Sequence, residues 1–202
     1  MTDEIAPETP TGRPSPESRR QQILDAACDQ VRQRGFHGAS MADIAKAAGL
    51  SVGQIYRYFE NKEAIIAAIV AQDLAEMRDK FAEMESQPGT LLDALDDHLP
   101  DALDKCLDPG RAALALEVLA EAARNPKVAA IVRAADAQER ALATTMMERN
   151  RHPDWSESEF QARCEVVGLV FDGLLMRGIN HPDIDRPAVT QVLRATMRYL
   201  LS

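Results

Sequence analysis

From residue 18 onward, apolar residues recur along the chain at the spacing that places them on one side of an α-helix. The first such stripe predicts a helix that Ser18 opens and Gly35 ends. Its inward side chains are those of Ile23, Leu24, Ala27, Cys28 and Val31. Residues 1–17 lack this pattern, because they hold four prolines among Thr, Ser and Glu and, after Met1, only one large apolar side chain, Ile5. Such a segment buries too little apolar surface to offset the entropy of ordering, so we expect a disordered tail over residues 1–17.

Two short helical patterns separated by a glycine turn follow the first helix. Ser40 begins the first of them, and Asp43 three residues later predicts a capping box. Gly49 provides the positive φ of a tight helix end, and Ser51 caps the second helix. Helix, tight turn and helix in this order form the helix-turn-helix pattern. Two short core helices joined by a glycine turn would show the same spacing, so the spacing alone leaves both interpretations open.

Longer amphipathic segments fill the rest of the chain. Proline, glycine and capping residues divide it into six predicted helices, over residues 62–86, 90–107, 111–124, 127–150, 157–178 and 187–201. Together with the three helices before them, this gives about nine helices. Alanine, the strongest helix former, occurs 32 times, whereas the chain has only nine aromatic residues. We therefore expect an all-α fold.

The charge is divided unevenly along the chain. The whole sequence carries a net charge of −9, which by itself argues against nucleic acid as a partner. Residues 13–62, however, hold eight basic and five acidic residues, a net charge of +3, whereas residues 63–202 hold 15 and 24, a net charge of −9. Contact with phosphates depends on the potential within a Debye length of about 8–10 Å. A locally basic helix-turn-helix beside an acidic body is therefore compatible with DNA binding.

The start of the second motif helix carries side chains suited to the edges of bases. In a major-groove reader this end of the helix contacts bases, and here it holds Val52, Gly53 and Gln54. Gln54 could bind adenine in a bidentate pair, Val52 could touch a thymine methyl group, and Gly53 allows the backbone to come close. Gln54 has an alternative role, since it could complete a capping box with Ser51. The sequence leaves both roles of Gln54 open.

Other side chains around this helix suit the phosphate backbone. Tyr56, Arg57 and Tyr58 carry hydroxyl and guanidinium groups that could donate to phosphate oxygens. Ser40 and Lys62 each stand at a predicted helix N-terminus, whose free N–H groups favour an anion. The predicted DNA-binding residues are therefore Ser40, Ser51, Val52, Gly53, Gln54, Tyr56, Arg57, Tyr58 and Lys62.

The stretch from Ser40 to Glu63 resembles the DNA-binding domain of the TetR/AcrR family of transcriptional regulators. The resemblance rests on Ile-Ala in the first motif helix, on Ala-Gly-Leu-Ser-Val-Gly across the turn, and on the Tyr, Tyr-Phe and Asn-Lys-Glu positions that follow. Arg57 departs from the His that is frequent in the family, and Ser40 from its common Thr. The resemblance implies a homodimeric regulator, most often a repressor, whose N-terminal three-helix bundle over residues 18–64 binds a palindromic double-stranded DNA operator. It further implies a larger C-terminal domain, residues 65–202, that binds a small-molecule effector and carries the dimer contacts.

The segment 157–178 is apolar on most sides, which is typical of a helix that is covered all round. Its own domain offers little such cover, so we expect it to pack against a second copy together with the last helix. The predicted dimer contacts are Cys164, Gly168, Phe171, Asp172, Leu175, Val189, Leu193 and Met197. A central helix of a monomer would show the same pattern.

The sequence marks an effector pocket only by adaptable and aromatic side chains on several helices. Methionine suits such a pocket because its side chain adapts to irregular shapes. The candidates are Met77, Phe81, His98, Met146, Phe171 and Met176. Such residues at helical spacing also fill ordinary cores, which is the competing interpretation.

Several other classes of protein are disfavoured by the sequence. The longest run without a charge is ten residues, about half of the roughly 20 that a membrane helix needs, so we expect no membrane partner. The start lacks the basic and apolar regions of a signal peptide, so we expect a cytoplasmic protein with reduced cysteines. The four histidines are isolated and no Gly-rich phosphate loop is present, so we expect neither enzyme activity nor a cofactor. A helical protein-interaction module with a structural helix-turn-helix is the alternative function.

Overall fold

The structure is a computed structural model that describes residues 15–202, and this part of the chain contains nine α-helices. Their bounds are α1 Pro16–Gly38, α2 Met41–Ala47, α3 Val52–Ile55, α4 Lys62–Ser86, α5 Leu91–Cys106, α6 Pro109–Ala122, α7 Pro126–Glu148, α8 Glu157–Asn180 and α9 Arg186–Leu201. The prediction of an all-α fold is confirmed. Most of the predicted tail, residues 1–14, lies outside the described residues.

Helix α1 begins two residues earlier than the sequence pattern predicted. Ser15 caps it, because the Ser15 Oγ accepts a hydrogen bond from the N–H of Ser18 at 3.1 Å, and Pro16 stands in the first turn. The predicted tail is therefore wrong over residues 15–17, since a proline at this position favours a helix start. Gly35, with φ 71°, interrupts the helix where the sequence placed its end.

The first hydrophobic core lies between α1, α2, α3 and the start of α4. Ile23 of α1, Ile44 of α2 and Ile55 of α3 are at most 1% exposed. Ile65 and Ile69 of α4 belong to the same cluster. The predicted boundary at residue 64 therefore falls inside a packed core, and the three-helix bundle is completed by the first two turns of α4. We call residues 16–69 the DNA-binding head, because they contain all the residues predicted to contact DNA, and residues 70–202 the body.

A second hydrophobic core lies in the body between α5, α8 and α9. Helix α9 is also joined to α5 by hydrogen bonds beside a proline inside α5. Pro100 lies inside α5 and has no N–H to donate to the carbonyl of Asp96 one turn earlier. Arg194 of α9 donates to that carbonyl instead, at 3.1 Å, and its Nε lies 3.2 Å from Asp96 Oδ1. Arg198 pairs with the same carboxylate. The Asp96 carbonyl, which lacks its helical hydrogen bond in α5, thus binds α9 through Arg194.

Helix α8 rests on the turn between α5 and α6 at a glycine. A Cβ added to Gly178 would lie 3.1 Å from the backbone carbonyl of Leu107, so a larger residue would push this turn away from α8. The position of α8 is thereby fixed against the rest of the body. None of the helices in residues 15–202 is long and apolar enough to cross a membrane.

Candidate DNA-binding interface

The predicted helix-turn-helix is present in the DNA-binding head. Gly49 between α2 and α3 has φ 64°, and the N–H of Leu50 donates to the carbonyl of Ala45 at 2.8 Å. Helix α3 is only four residues long, and Ile55 and Phe59 behind it are buried. These two side chains anchor α3 to the first core and leave its outer side at the surface.

Five predicted DNA-binding residues share the exposed surface of α3 and the turn that follows it. Val52 and Tyr56 are 45% and 53% exposed, and Gly53, Gln54 and Arg57 are also exposed. The space above Gly53 is open, since a Cβ there would meet no atom within 4 Å. An apolar side chain, a hydroxyl, a guanidinium and accessible backbone together supply the contacts that base edges and phosphates need.

Tyr58 differs from these residues, because its side chain is half-buried against the first core. The guanidinium of Arg20 donates to the Tyr58 carbonyl at 3.4 Å and lies 4.3 Å from the centre of the Phe59 ring. The segment after α3 is thus tied back to α1. Tyr58 contributes to this packing, and its predicted phosphate contact has less support than that of Tyr56 or Arg57.

Gln54 completes the capping box of α3. Its Oε1 accepts a hydrogen bond from the N–H of Ser51 at 2.8 Å, and its own N–H donates to Ser51 Oγ at 3.3 Å. The capping role that competed with base contact is therefore formed in the structure. A bidentate pair between Gln54 and adenine would require this oxygen to accept a second hydrogen bond while the cap holds its orientation.

Ser40 is engaged in a second capping box at the start of α2. Its N–H donates to Asp43 Oδ2 at 3.1 Å, its Oγ accepts from the N–H of Asp43 at 3.1 Å, and its hydroxyl donates to the same carboxylate. These hydrogen bonds hold the pKa of the Asp43 carboxyl below its usual value. The predicted phosphate contact of Ser40 is disfavoured, because an ionised carboxylate already occupies this helix start.

Lys62 points into the protein. Its Nζ donates to the carbonyl of Phe36 at 2.7 Å and lies 4.4 Å from the centre of the Phe36 ring. The sequence placed Lys62 correctly as the first residue of α4, but the side chain turns back to α1 instead of outward. The ammonium makes an internal charge-assisted hydrogen bond, so a phosphate contact by this side chain has less support.

A polar junction joins the DNA-binding head to α6 of the body. The N–H of Phe36, directly after the break at Gly35, donates to Glu117 Oε2 at 3.1 Å. Glu121, which is 2% exposed, places its Oε2 3.0 Å from His37 Nε2 and accepts from Asn125 Nδ2 at 3.0 Å on its other oxygen. Sequence reasoning missed this junction, because nothing near Glu121 in the sequence distinguishes it from a solvent-exposed glutamate.

The predicted pocket residues are dispersed over several parts of the body. Phe81 and Met146 meet in a small cluster, whereas Phe171 packs in the second core. Met77 is half-buried, and His98 Nε2 lies 3.0 Å from Gln87 Nε2. Met176 is 46% exposed on the outer side of α8, so its assignment to the pocket is wrong.

A small cavity of about 10 Å³ lies between α1, α4 and α6, where it is lined by residues such as Val31, Ile66 and Val118. This is about the space of a single water molecule. None of the six predicted pocket residues lines it.

Two of the predicted dimer contacts are wrong. Leu193 and Met197 are 7% and 2% exposed, because this side of α9 packs into the second core against α5. Gly168 and Asp172 are exposed, and the remaining predicted contacts are half-buried, namely Cys164, Phe171, Leu175 and Val189. The large apolar side chains that α8 and α9 do expose are Val166, Leu169, Met176, Ile179, Val192 and Tyr199. The sequence shows that α8 and α9 are apolar on two sides. It does not show which side packs against other helices of the same chain and which side stays exposed.

Two family models match the chain. The model described as bacterial regulatory proteins of the tetR family matches residues 23–69, which form most of the DNA-binding head. The model described as the tetracyclin repressor-like C-terminal domain matches residues 86–202, more than half of the chain. The two matches cover both parts of the described fold.

Individual proteins agree with these family matches. The HTH-type transcriptional regulator BetI of Stenotrophomonas maltophilia is 30% identical over 79% of this chain and 81% of its own length. The HTH-type transcriptional regulator UidR of Escherichia coli is 35% identical, over 56% of this chain and 57% of its own length, so the match spans little more than half of that relative. The solved structure of Salmonella enterica GusR has a TM-score of 0.76 and 25% identity, covering 93% of this chain and 97% of GusR.

These relatives are transcriptional regulators and not enzymes, in agreement with the expectation from the sequence. The resemblance of residues 40–63 is confirmed and extends, at the level of the fold, over both the head and the body. The chain belongs to the TetR family of bacterial regulatory proteins, whose DNA-binding element here is the helix-turn-helix of α2 and α3.

Proposed function

We propose that this regulator is a repressor that binds a palindromic operator as a homodimer in the bacterial cytoplasm and is released by a small-molecule effector. The observation that carries the proposal is the exposed surface of Val52, Gly53, Gln54, Tyr56 and Arg57 on the DNA-binding head. The head, residues 16–69, has a net charge of +1, whereas the body, residues 70–202, has a net charge of −8. Similarity of the body to the tetracyclin repressor-like domain supports repression. In this proposal the head reads DNA, and the body dimerises and binds the effector.

Dimerisation through α8 and α9 is supported by the spacing of their exposed apolar residues. On α8 these are Ala162, Val166, Leu169, Gly173 and Met176, at intervals that alternate between four and three. That alternation keeps residues on one side of a helix and lets two helices pack along their length.

Helix α9 repeats this pattern with exposed Ala188, Val192, Ala195 and Tyr199. Leu169 and Val192 are each 67% exposed and Tyr199 is 71% exposed. Monomeric proteins seldom leave such a continuous apolar surface in water. A second copy related by a two-fold axis would cover both stripes in a four-helix interface.

Effector control is supported by the junction between α6 and the DNA-binding head. Glu117 and Glu121 of α6 contact Phe36 and His37, which lie immediately before the helix-turn-helix. A displacement of α6 caused by a ligand in the body would move these contacts and change the orientation of the head. An effector acts in this way only if it binds one orientation more tightly than the other.

DNA recognition is tested by selection from a randomised duplex library with the full-length protein, followed by binding of the enriched duplex at several salt concentrations. We expect a palindromic sequence whose affinity falls as salt rises, because the phosphate contacts release counterions. Tyr56→Ala should weaken binding to all duplexes, whereas Gln54→Ala should mainly relax sequence choice. If no duplex is enriched, and none binds even at low salt, the DNA-binding proposal fails.

The dimer interface is tested separately by sedimentation of charged variants. Leu169→Glu should convert the dimer to monomer, because it buries an unpaired carboxylate in the proposed interface. Leu119→Glu is the matched control, since Leu119 is also an exposed leucine, at 49%, but lies on α6 and belongs to neither apolar stripe. A dimer that persists in Leu169→Glu and dissociates in Leu119→Glu would place the interface elsewhere.

A further inference from the structure

The cap of α3 restricts how Gln54 can read a base. At the start of the four-residue helix α3, the Ser51 N–H has the side chain of Gln54 as its partner, whereas the Gln54 N–H is shared between the carbonyl and the hydroxyl of Ser51. The two capping hydrogen bonds, at 2.8 and 3.3 Å, satisfy one donor each. Opening the cap to free the Gln54 oxygen would leave the Ser51 N–H without its partner beside the DNA.

The amide nitrogen of Gln54, Nε2, makes no hydrogen bond within residues 15–202, whereas the oxygen has one of its two lone pairs in the cap. The oxygen and the nitrogen diverge from the same carbon, so an oxygen held against the backbone of Ser51 leaves the NH₂ group directed away from it. That group carries two donors and no acceptor. The side chain is exposed at the outer surface of α3 and is thus positioned to meet a base edge.

We propose that Gln54 keeps its cap on DNA and reads the major groove as a hydrogen-bond donor only. This inference rests on the proposed function and specifies it, because it names the class of base that the residue selects. Guanine offers two acceptors there, N7 and O6, and thymine offers O4. Cytosine offers only a donor, and the bidentate pair with adenine needs an acceptor on the protein. Gln54 therefore selects guanine first and thymine second, excludes cytosine, and makes no bidentate pair with adenine.

Two substitutions separate the cap from the donor. Gln54→Glu keeps an oxygen for the Ser51 N–H, since glutamate is equally suited to this capping position, but replaces the NH₂ donors with a second acceptor. Gln54→Met removes both the cap and the donor. The position in the DNA that faces residue 54 is identified as the symmetric pair of base pairs whose preference changes between these variants.

The experiment is selection from one randomised duplex library with the wild type, Gln54→Glu and Gln54→Met, with sequencing of the bound fraction. We expect guanine, then thymine, at the symmetric pair in the wild type, cytosine in Gln54→Glu, and no preference in Gln54→Met. The discrimination should be about tenfold or more at that position. Hydrogen exchange of the Ser51 N–H in the wild-type complex should remain as slow as in the free protein.

Three results would overturn the inference. Adenine at the symmetric pair in the wild type would show that the Gln54 oxygen accepts from the base, through an opened cap if the Ser51 N–H exchanges fast in the complex and beside an intact cap if its exchange stays slow. Identical sequences from all three proteins would show that Gln54 does not read bases. Failure of every protein to enrich any sequence would overturn the proposed function itself, and the inference with it.

Discussion

Lys62 should stabilise the fold and contribute nothing to DNA binding. Its ammonium donates to the Phe36 carbonyl at 2.7 Å and lies 4.4 Å from the centre of the Phe36 ring. A hydrogen bond from a charged group contributes about 1.5–3 kcal/mol, and a cation over an aromatic ring about 0.5–1 kcal/mol. The two contributions are not additive, because the same half-buried ammonium makes both. We therefore expect Lys62→Met, which keeps the apolar stem, to lower the free energy of unfolding by about 2 kcal/mol.

Arg57→Met is the matched control, because Arg57 is exposed on the surface proposed to face DNA. Urea unfolding followed by circular dichroism, at one fixed protein concentration, measures stability, and Arg57→Met should change it by less than about 0.5 kcal/mol. The number of phosphate contacts is measured by plotting the logarithm of the binding constant for the enriched duplex against the logarithm of the salt concentration. Each contact adds about 0.9 to the magnitude of that slope. We expect that slope to fall by about 0.9 per protomer in Arg57→Met and to stay unchanged in Lys62→Met. Wild-type stability together with a smaller slope in Lys62→Met would refute this assignment.

Three further predictions concern packing and protonation. Gly178→Ala should lower the free energy of unfolding by about 1–3 kcal/mol, because its methyl group would meet the Leu107 backbone. The control Gly168→Ala should not be destabilising in this way, because its methyl group would enter open space, and equal effects of the two substitutions in urea titrations would contradict the prediction. Burial raises the pKa of the Cys28 thiol from 9.0 to about 11. In a variant that keeps only this cysteine, the thiol should therefore react with iodoacetamide about a hundredfold more slowly near pH 8 than an unperturbed thiol does, and an equal rate would contradict the prediction. Hydrogen bonds from Thr90, the N-cap residue of α5, lower the pKa of Asp93, so its stabilising contribution is present above the usual carboxyl pKa and is lost as the pH falls through the lowered value. The difference in the free energy of unfolding between the wild type and Asp93→Asn should therefore shrink over this pH range, and a difference that grows would contradict the prediction.

Helix positions were predictable because the residues that end helices act locally. Asn61 caps α4, and the predicted span 62–86 agrees with the observed Lys62–Ser86. The start of α6 was placed two residues late, because Pro109 was taken as a break although proline is favoured in the first turn of a helix. Local signals of this kind are sufficient to predict the all-α fold and the helix-turn-helix from the sequence.

Side-chain directions were less predictable, because they depend on contacts between distant parts of the chain. Met197 and Tyr199 are both large side chains on α9, yet one is 2% and the other 71% exposed. Lys62 was assigned to DNA because it stands at a helix N-terminus, but its ammonium donates to the distant Phe36 carbonyl. Glu121 is buried beside His37 and Asn125, which are 84 and 4 residues away along the chain. No local pattern specifies these partners, so the sequence predicted the recognition segment better than the junction or the dimer surface.

Binding to an operator with altered half-site spacing tests the central claim most directly. Two heads fixed by one α8–α9 interface should read half-sites about one helical turn apart on the same side of the duplex. Inserting about five base pairs, half a turn, at the centre of the enriched palindrome should turn one half-site to the opposite side. We expect affinity to fall by about a hundredfold or more, to the level of a random duplex. Undiminished binding to the lengthened palindrome would contradict a dimer that reads DNA through two fixed heads.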